Sequence, residues 1–350
     1  MKIDVFDFFS GCGGTSSGFQ ELGLNIKLAI DIDADAIKTF KANFPEAITI
    51  QSDIRNIKPN DLEEIIQPRE NPILFCGCAP CQPFSKQNRQ RSINDSRINL
   101  LDEFAKFVEA WLPEYIFVEN VPGMQKKAAK SETFQKFLEL LTKLNYQFDT
   151  KVVEAQWFGV PQKRTRLVLI ASRIHKVSIP APTHGFGLKP FSTLSDWISD
   201  LPEISHGETC FSDPDHFSLK LSPMNLERIK NTPEGGGRES WPEHLILECH
   251  KGYKGHSDVY GRLSWNKPAV GLTTRCISYS NGRFGHPSQD RALSLREAAC
   301  LQTFPKSFRF FGNKSSRARQ VGNAVPPLMA SSIARGLFKE THAKEDKISL

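Results

Sequence analysis

Ile3-Asp4-Val5-Phe6-Asp7-Phe8-Phe9 runs straight into Ser10-Gly11-Cys12-Gly13-Gly14-Thr15-Ser16-Ser17-Gly18. A short apolar run followed by glycines reads as a strand that turns sharply into a helix, because glycine lets backbone bend and approach a ligand closely. The alternation continues downstream. A helix is expected at 16–22, broken at Gly23, then a strand at 26–31, a helix at 34–44 stopped by Pro45, and a short strand at 47–50. Further strands are expected at 73–76 and 115–118. Between them Leu101, Phe104, Phe107, Val108 and Trp111 keep helical spacing. A helix at 134–144 and strands at 152–155 and 167–170 complete the series. Strands alternating with helices of this length predict an α/β fold with a doubly wound, mostly parallel sheet.

The texture changes near residue 175. Residues 176–290 are rich in Pro, Gly, His and Ser and show little long periodicity, which predicts a smaller, irregular or β-rich domain. Helical signals return at 294–301 and 327–338. The reading assigns 1–185 and 318–350 to one domain and 186–317 to a second domain with its hinge.

With 39% hydrophobic and 24% charged residues, the composition is that of a folded, soluble protein rather than a disordered chain. The net charge of +6 suits an anionic partner without demanding one. No apolar run reaches the roughly 18 residues of a membrane helix, and acids inside the first strand argue against a secretory leader. A reducing cytoplasm is the expected location. Cys76, Cys78 and Cys81 stand close together, but no second pair of ligands accompanies them, so no metal is expected.

Three strand exits carry chemistry. Asp31 lies 20 residues after Gly11, at the end of the second strand, where a carboxylate can accept hydrogen bonds from ribose hydroxyls. A dinucleotide fingerprint would need glycine at position 16; Ser16 stands there. A glycine loop with a ribose acid and no phosphate-binding lysine suits an adenosyl cofactor without phosphates; a plain turn packed with glycine is the alternative. Ala79-Pro80-Cys81-Gln82-Pro83-Phe84 follows the strand at 73–76, and its prolines stiffen the backbone around the thiol. Cys81 is either a nucleophile or a packing residue on that segment alone. Glu119, followed by Asn120, stands at the exit of the next strand, so a thiol and a carboxylate are aimed at one crevice.

Taken in order, the segments Asp7 to Gly14, Asp31-Ile32-Asp33, Asp53-Ile54, Pro80-Cys81-Gln82, Glu119-Asn120-Val121, Gln162 to Arg166, Arg291 to Pro305 and Gly322 to Pro327 resemble the C5-cytosine-specific DNA methyltransferases of the bacterial restriction–modification type. The resemblance spans nearly the whole chain except about 175–290. It implies an S-adenosylmethionine-dependent methyltransferase fold with a target-recognition domain, S-adenosyl-L-methionine as methyl donor, and a cytosine flipped out of double-stranded DNA as acceptor. Transfer RNA is the competing acceptor, since one branch of the fold uses it; the long variable region argues for DNA. The resemblance makes Cys81 the nucleophile at C6. Glu119 would keep a proton on N3, with Asn120 in support. Arg166 would contact the base's O2 or hold Glu119, and Arg164 would contact phosphate or a structural acid. Phe9, Gly11, Cys12, Gly13, Gly14, Asp31, Ile32, Asp53, Ile54, Pro80, Leu100, Asn323 and Ala324 would hold the cofactor. The segment at 322–326 and its following helix would return to wall that pocket.

The loop after Cys81 has four basic residues against one acid and reads as a closing loop on phosphate, with Ser85, Lys86, Gln87, Arg89, Arg91 and Arg97 as contacts. Residues 251–289 mix six basic residues with aromatics and a single acid, Asp258. Arg262, Thr273, Thr274, Arg275 and Arg283 are expected to face DNA there. The resemblance further implies a monomer in the bacterial cytoplasm, held on the nucleoid through DNA, with a cognate restriction endonuclease acting on the same site.

Overall fold

The computed structural model describes residues 2–79, 100–122, 128–250, 255 and 258–338. Pro80, Cys81 and the whole expected closing loop lie outside the described residues. The strands are β1 (Asp4–Phe8), β2 (Asn25–Asp31), β3 (Ile48–Gln51), β4 (Ile73–Gly77), β5 (Tyr115–Asn120), β6 (Gln147–Glu154), β7 (Gln162–Lys163), β8 (Thr165–Ser172) and β9 (Ala269–Val270). The helices are α1 (Gly14–Glu21), α2 (Ala34–Asn43), α3 (Glu63–Ile66), α4 (Leu100–Trp111), α5 (Ala128–Lys143), α6 (Ser195–Ile198), α7 (Pro223–Lys230), α8 (Leu295–Leu301), α9 (Lys314–Asn323) and α10 (Pro327–Ala334).

Seven strands form one sheet in the order β3-β2-β1-β4-β5-β8-β6. The first five run parallel, and β8 is antiparallel to both β5 and β6. The chain winds outward from β1 in one direction and returns to start again at β4. The strand order therefore reverses between β1 and β4, and in open α/β sheets that is where the exit loops part and leave a crevice. The loops that leave β1 and β4 are the glycine loop and the segment leading to Cys81.

The core explains why these strands read so clearly. Phe8 sits between Phe75 of β4 and two rings of α4, with centroids 5.0 Å from Phe75, 5.3 Å from Phe104 and 5.0 Å from Phe107. All four rings are buried, and each contributes about 1.5–3 kcal/mol of transfer free energy on burial. Local signals fix the helix ends. Asp33 caps α2 by accepting from the N–H groups of Asp35 and Ala36. Ser294 and Glu297 form a reciprocal capping box at the start of α8.

The chain divides into two compact units. One comprises 1–154, 165–182 and 325–350; the other comprises 155–164 and 183–324. The division thus gives the second unit an early strip, 155–164, that sequence texture did not separate from its neighbours. Among the described residues the second unit is irregular rather than β-rich. It holds the two-stranded β7–β9 pair, isolated bridges, and helices α6 to α9. Two differences have a common cause. Strand β6 starts five residues earlier than expected, at Gln147, and helix α9 was not expected at all. Both are polar elements with a solvent-facing side, so neither carries the apolar run that marks a buried strand or helix.

Candidate active site

Glu119 is the penultimate residue of β5 and is buried. Its carboxylate Oε1 lies 2.7 Å from Nε of Arg166, near the start of β8. The antiparallel register produces this pair, because Asn120 stands opposite Leu167 and so brings the end of β5 beside Arg166. Arg166 also donates from Nη1 to the Thr165 carbonyl at 2.7 Å, which fixes the guanidinium's orientation. Asn120 donates from Nδ2 to the carbonyl of Ala79 at 3.3 Å and accepts the Val121 N–H at 2.7 Å. The side chain therefore ties the exit of β5 to the backbone two residues before Cys81.

At the exit of β1 the backbone is unusual. Phe9 and Gly11 have positive φ, 60° and 53°. Gly13 caps α1 with φ 96°, and a Cβ there would meet the Phe44 ring at 2.5 Å, so only glycine fits. The Gly11 N–H donates to Asp31 Oδ2 and the Asp33 N–H to Asp31 Oδ1, both at 2.8 Å. Burial pushes the Asp31 carboxyl above its ordinary range, while these two bonds hold it down. Asp31 is thus an oriented carboxylate at the mouth of β2. Beside it Ile32 is 65% exposed, an apolar surface at a strand exit.

A mostly parallel sheet with its glycine loop, oriented acid and buried Glu–Arg pair at the strand exits has relatives among known proteins. The chain matches the C-5 cytosine-specific DNA methylases over residues 3–339. It belongs to that family. It is 38% identical to a Type II methylase of Herpetosiphon aurantiacus, M.HgiDII, over 95% of this chain and 94% of that one. It is 32% identical to the Type II methyltransferase M1.HphI of Haemophilus parahaemolyticus, over 97% and 87%. Among solved structures it resembles an E. coli prophage-encoded DNA modification methyltransferase at 26% identity and a TM-score of 0.77, covering 97% of this chain and 99% of that one. This methylase transfers a methyl group from S-adenosylmethionine to C5 of cytosine in DNA.

The methylase's own residues fit that cofactor. Asp31 keeps lone pairs beyond its two backbone bonds, enough to accept from a ribose diol, and exposed Ile32 offers apolar contact for a ring. Ser16, which breaks the dinucleotide pattern, is buried and donates to Asp7 Oδ2 at 2.6 Å, so it serves the fold rather than a phosphate. The other residues expected at the cofactor have varied surroundings. Ile54 and Leu100 are buried in the core cluster, and Cys12 is buried. Asp53 caps the turn at 54–56, and Arg55 donates to it from Nε at 2.9 Å, holding its carboxyl below its ordinary value. Asn323 is exposed at the end of α9, and Ala324 follows as its C-cap. Helix α10 does return to the first unit, where it packs on α1; a Cβ at Gly18 would meet the Pro327 carbonyl oxygen at 2.2 Å.

Three arginines bond backbone carbonyls. Arg164 is buried, and its Nη1 donates to the carbonyls of Leu272 and Gly322 at 3.1 and 3.2 Å. Arg262, expected on the DNA face, is buried and donates to the carbonyls of Thr232, Ile229, His286 and Gln289, with Asp290 as its ion partner. Arg283 is largely covered and donates to the carbonyls of Gly235 and Gly236 at 2.8 and 2.6 Å. A guanidinium's five donors make it as apt for stitching loop carbonyls as for phosphate, and a charge count cannot distinguish the two. Thr274 and Arg275 are exposed, and Thr273 is half-buried.

Sequence reading also missed a buried amide pair. Gln162 accepts the Leu272 N–H at 2.9 Å and donates to the Leu301 carbonyl at 3.1 Å and to Gln302. Gln302 in turn donates to the carbonyls of Val321 and Ala324 at 2.7 and 2.9 Å. With Arg164, these side chains join β7, the 272–274 loop, α8 and the end of α9 within the second unit. Both glutamines lie in motif segments, but nothing in a linear pattern pairs positions 140 residues apart.

Proposed function

We propose that this methylase works through a covalent adduct between Cys81 and C6 of a cytosine flipped out of a specific duplex sequence. Cytosine C5 is a poor nucleophile. Addition of the Cys81 thiolate to C6 breaks the ring's conjugation and makes C5 enamine-like. Glu119 holds a proton at N3 as electron density moves toward that nitrogen, and Arg166 holds Glu119 in place. Asn120 keeps the backbone before Cys81 in register with the end of β5. When bound, S-adenosylmethionine supplies an electrophilic methyl group. A base, water being one candidate, then takes the C5 proton, and the Cys81 sulfur leaves by elimination, restoring the ring.

The observation that carries this reading is the buried Glu119–Arg166 pair at the exit of β5, with Asn120 bonded to Ala79 beside the nucleophile's segment. The names of the relatives support a role as the modification enzyme of a restriction–modification system, with an endonuclease acting on the same site. We place the enzyme in the bacterial cytoplasm as a monomer bound to DNA; among the described residues no helix is long and apolar enough to cross a membrane. Expression with a plasmid, followed by bisulfite sequencing, tests the function and reads out the site. One cytosine within one sequence context should be protected in every copy. Protection absent with wild type, or equal with Cys81→Ser, would refute the proposal.

A further inference from the structure

From Ala298 to Ala324 the chain carries five basic residues, Lys306, Arg309, Lys314, Arg317 and Arg319, and no acidic one. Lys306 pairs with Asp200, Arg317 with Asp215 at 3.0 Å, Arg309 lies 3.8 Å from Asp215, and the Lys314 ammonium sits 4.7 Å from the centre of the Phe217 ring. Arg319 is exposed midway along α9 and donates to Ser316 Oγ, one turn back, at 3.3 Å.

Its place on the helix is set by Gly322 and Ala318. A Cβ at Gly322 would lie 2.1 Å from the Thr273 carbonyl oxygen and 2.6 Å from the Thr274 nitrogen, and the Cys276 thiol donates to the Ala318 carbonyl at 3.7 Å. The 273–276 loop therefore runs along the 318–322 line of α9, within the second unit. At about 100° per residue, Arg319 projects roughly 60–100° round from that line. Ser315 and Asn323, also exposed, continue the same stripe. Lys314 falls on the opposite flank, about 140° from Arg319. Arg319 and exposed Arg275 thus border one contact seam.

We propose that Arg319 extends the DNA surface of the Thr273–Arg275 loop onto α9, where it and Arg275 contact the phosphate backbone of the duplex. The inference rests on the reading that this loop faces DNA. A cation held on a helix that is itself locked to the loop positions the duplex without reading its bases.

The test is the salt dependence of binding to a mixed-sequence duplex of a few tens of base pairs, which reports phosphate neutralisation directly. Removing one cation that neutralises a phosphate lowers the magnitude of the slope of log K against log salt by about 0.9. R319A, or R319Q should alanine unsettle the helix, is expected to lower it by about 0.9, as is R275A. R319K should keep the wild-type slope, and K314A, which removes the same charge from the other flank, should keep it too. An unchanged slope in R319A beside a lowered one in R275A would overturn the α9 contact while leaving the loop reading intact. Unchanged slopes in both would overturn the two together. A slope lowered as far in K314A as in R319A would also overturn the proposal, by showing a general charge effect.

Discussion

Glu119 and Arg166 meet because two strands of opposite direction end side by side. The pair has little access to water, and removing one partner leaves the other uncompensated. Replacing Glu119 with Gln keeps the shape and removes the acid. Single-turnover methyl transfer should then slow by about 10²–10⁴-fold, the range a positioned general acid provides, while binding of duplex DNA stays near wild type. A loss confined to DNA affinity would point instead to a structural carboxylate. The residue scale also shows what a sequence can and cannot declare. Glu119 and Asp31 were legible because each directly follows an apolar strand, and strand exits are where α/β sheets place chemistry. Arg262 and Arg283 were misread because a guanidinium bonded to backbone carbonyls has the same letter, and the same charge, as one bonded to phosphate.

At the scale of elements, α9 is fastened where its backbone touches the 273–276 loop, and Gly322 makes that approach possible. Gly322→Ala should force backbone apart rather than a flexible side-chain tip. The expected cost is about 1–3 kcal/mol, visible as a lower urea midpoint, whereas Gly23→Ala, whose added Cβ meets nothing within 4 Å, carries only its own backbone strain. Equal midpoints for Gly322→Ala and wild type would mean that the seam is loose. The inner parallel strands β1, β4 and β5 were readable because they are buried on both faces and so rich in apolar residues. The first half of the edge strand β6 and helix α9 were not, since each keeps a polar side toward solvent and gains its place from pairing and backbone contacts that have no linear signature.

Across the whole molecule, the regions around Asp7 and His286 should respond to acid in opposite directions. Burial pushes the Asp7 carboxyl up from 3.8 to about 7, with Ser16 and Cys76 opposing. The folded state thus holds this proton when the unfolded chain has lost it, so stability in the first unit falls as pH rises from about 4 to 7. In the second unit burial holds His286 down, to about 4, so the unfolded chain takes up that proton first and stability falls as pH drops from 6.5 toward 4. Glu297 adds to this loss below its ordinary 4.5. Burial would raise it, but Arg291, at 2.6 and 2.7 Å, outweighs burial and brings it to about 2. Amide exchange, corrected for its intrinsic pH dependence, should therefore show α8 losing protection between pH 7 and 4 while β1 holds or gains. Parallel loss in both would contradict the assignment. The proposed mechanism turns on a bond between Cys81 and cytosine C6. A duplex carrying 5-fluorocytosine at the methylated position, incubated with enzyme and S-adenosylmethionine, blocks the last elimination because fluorine cannot leave as a proton does. Peptide mass spectrometry should find the methylated base on Cys81 alone. An adduct on another cysteine, or none while unmodified duplex is still methylated, would contradict the account.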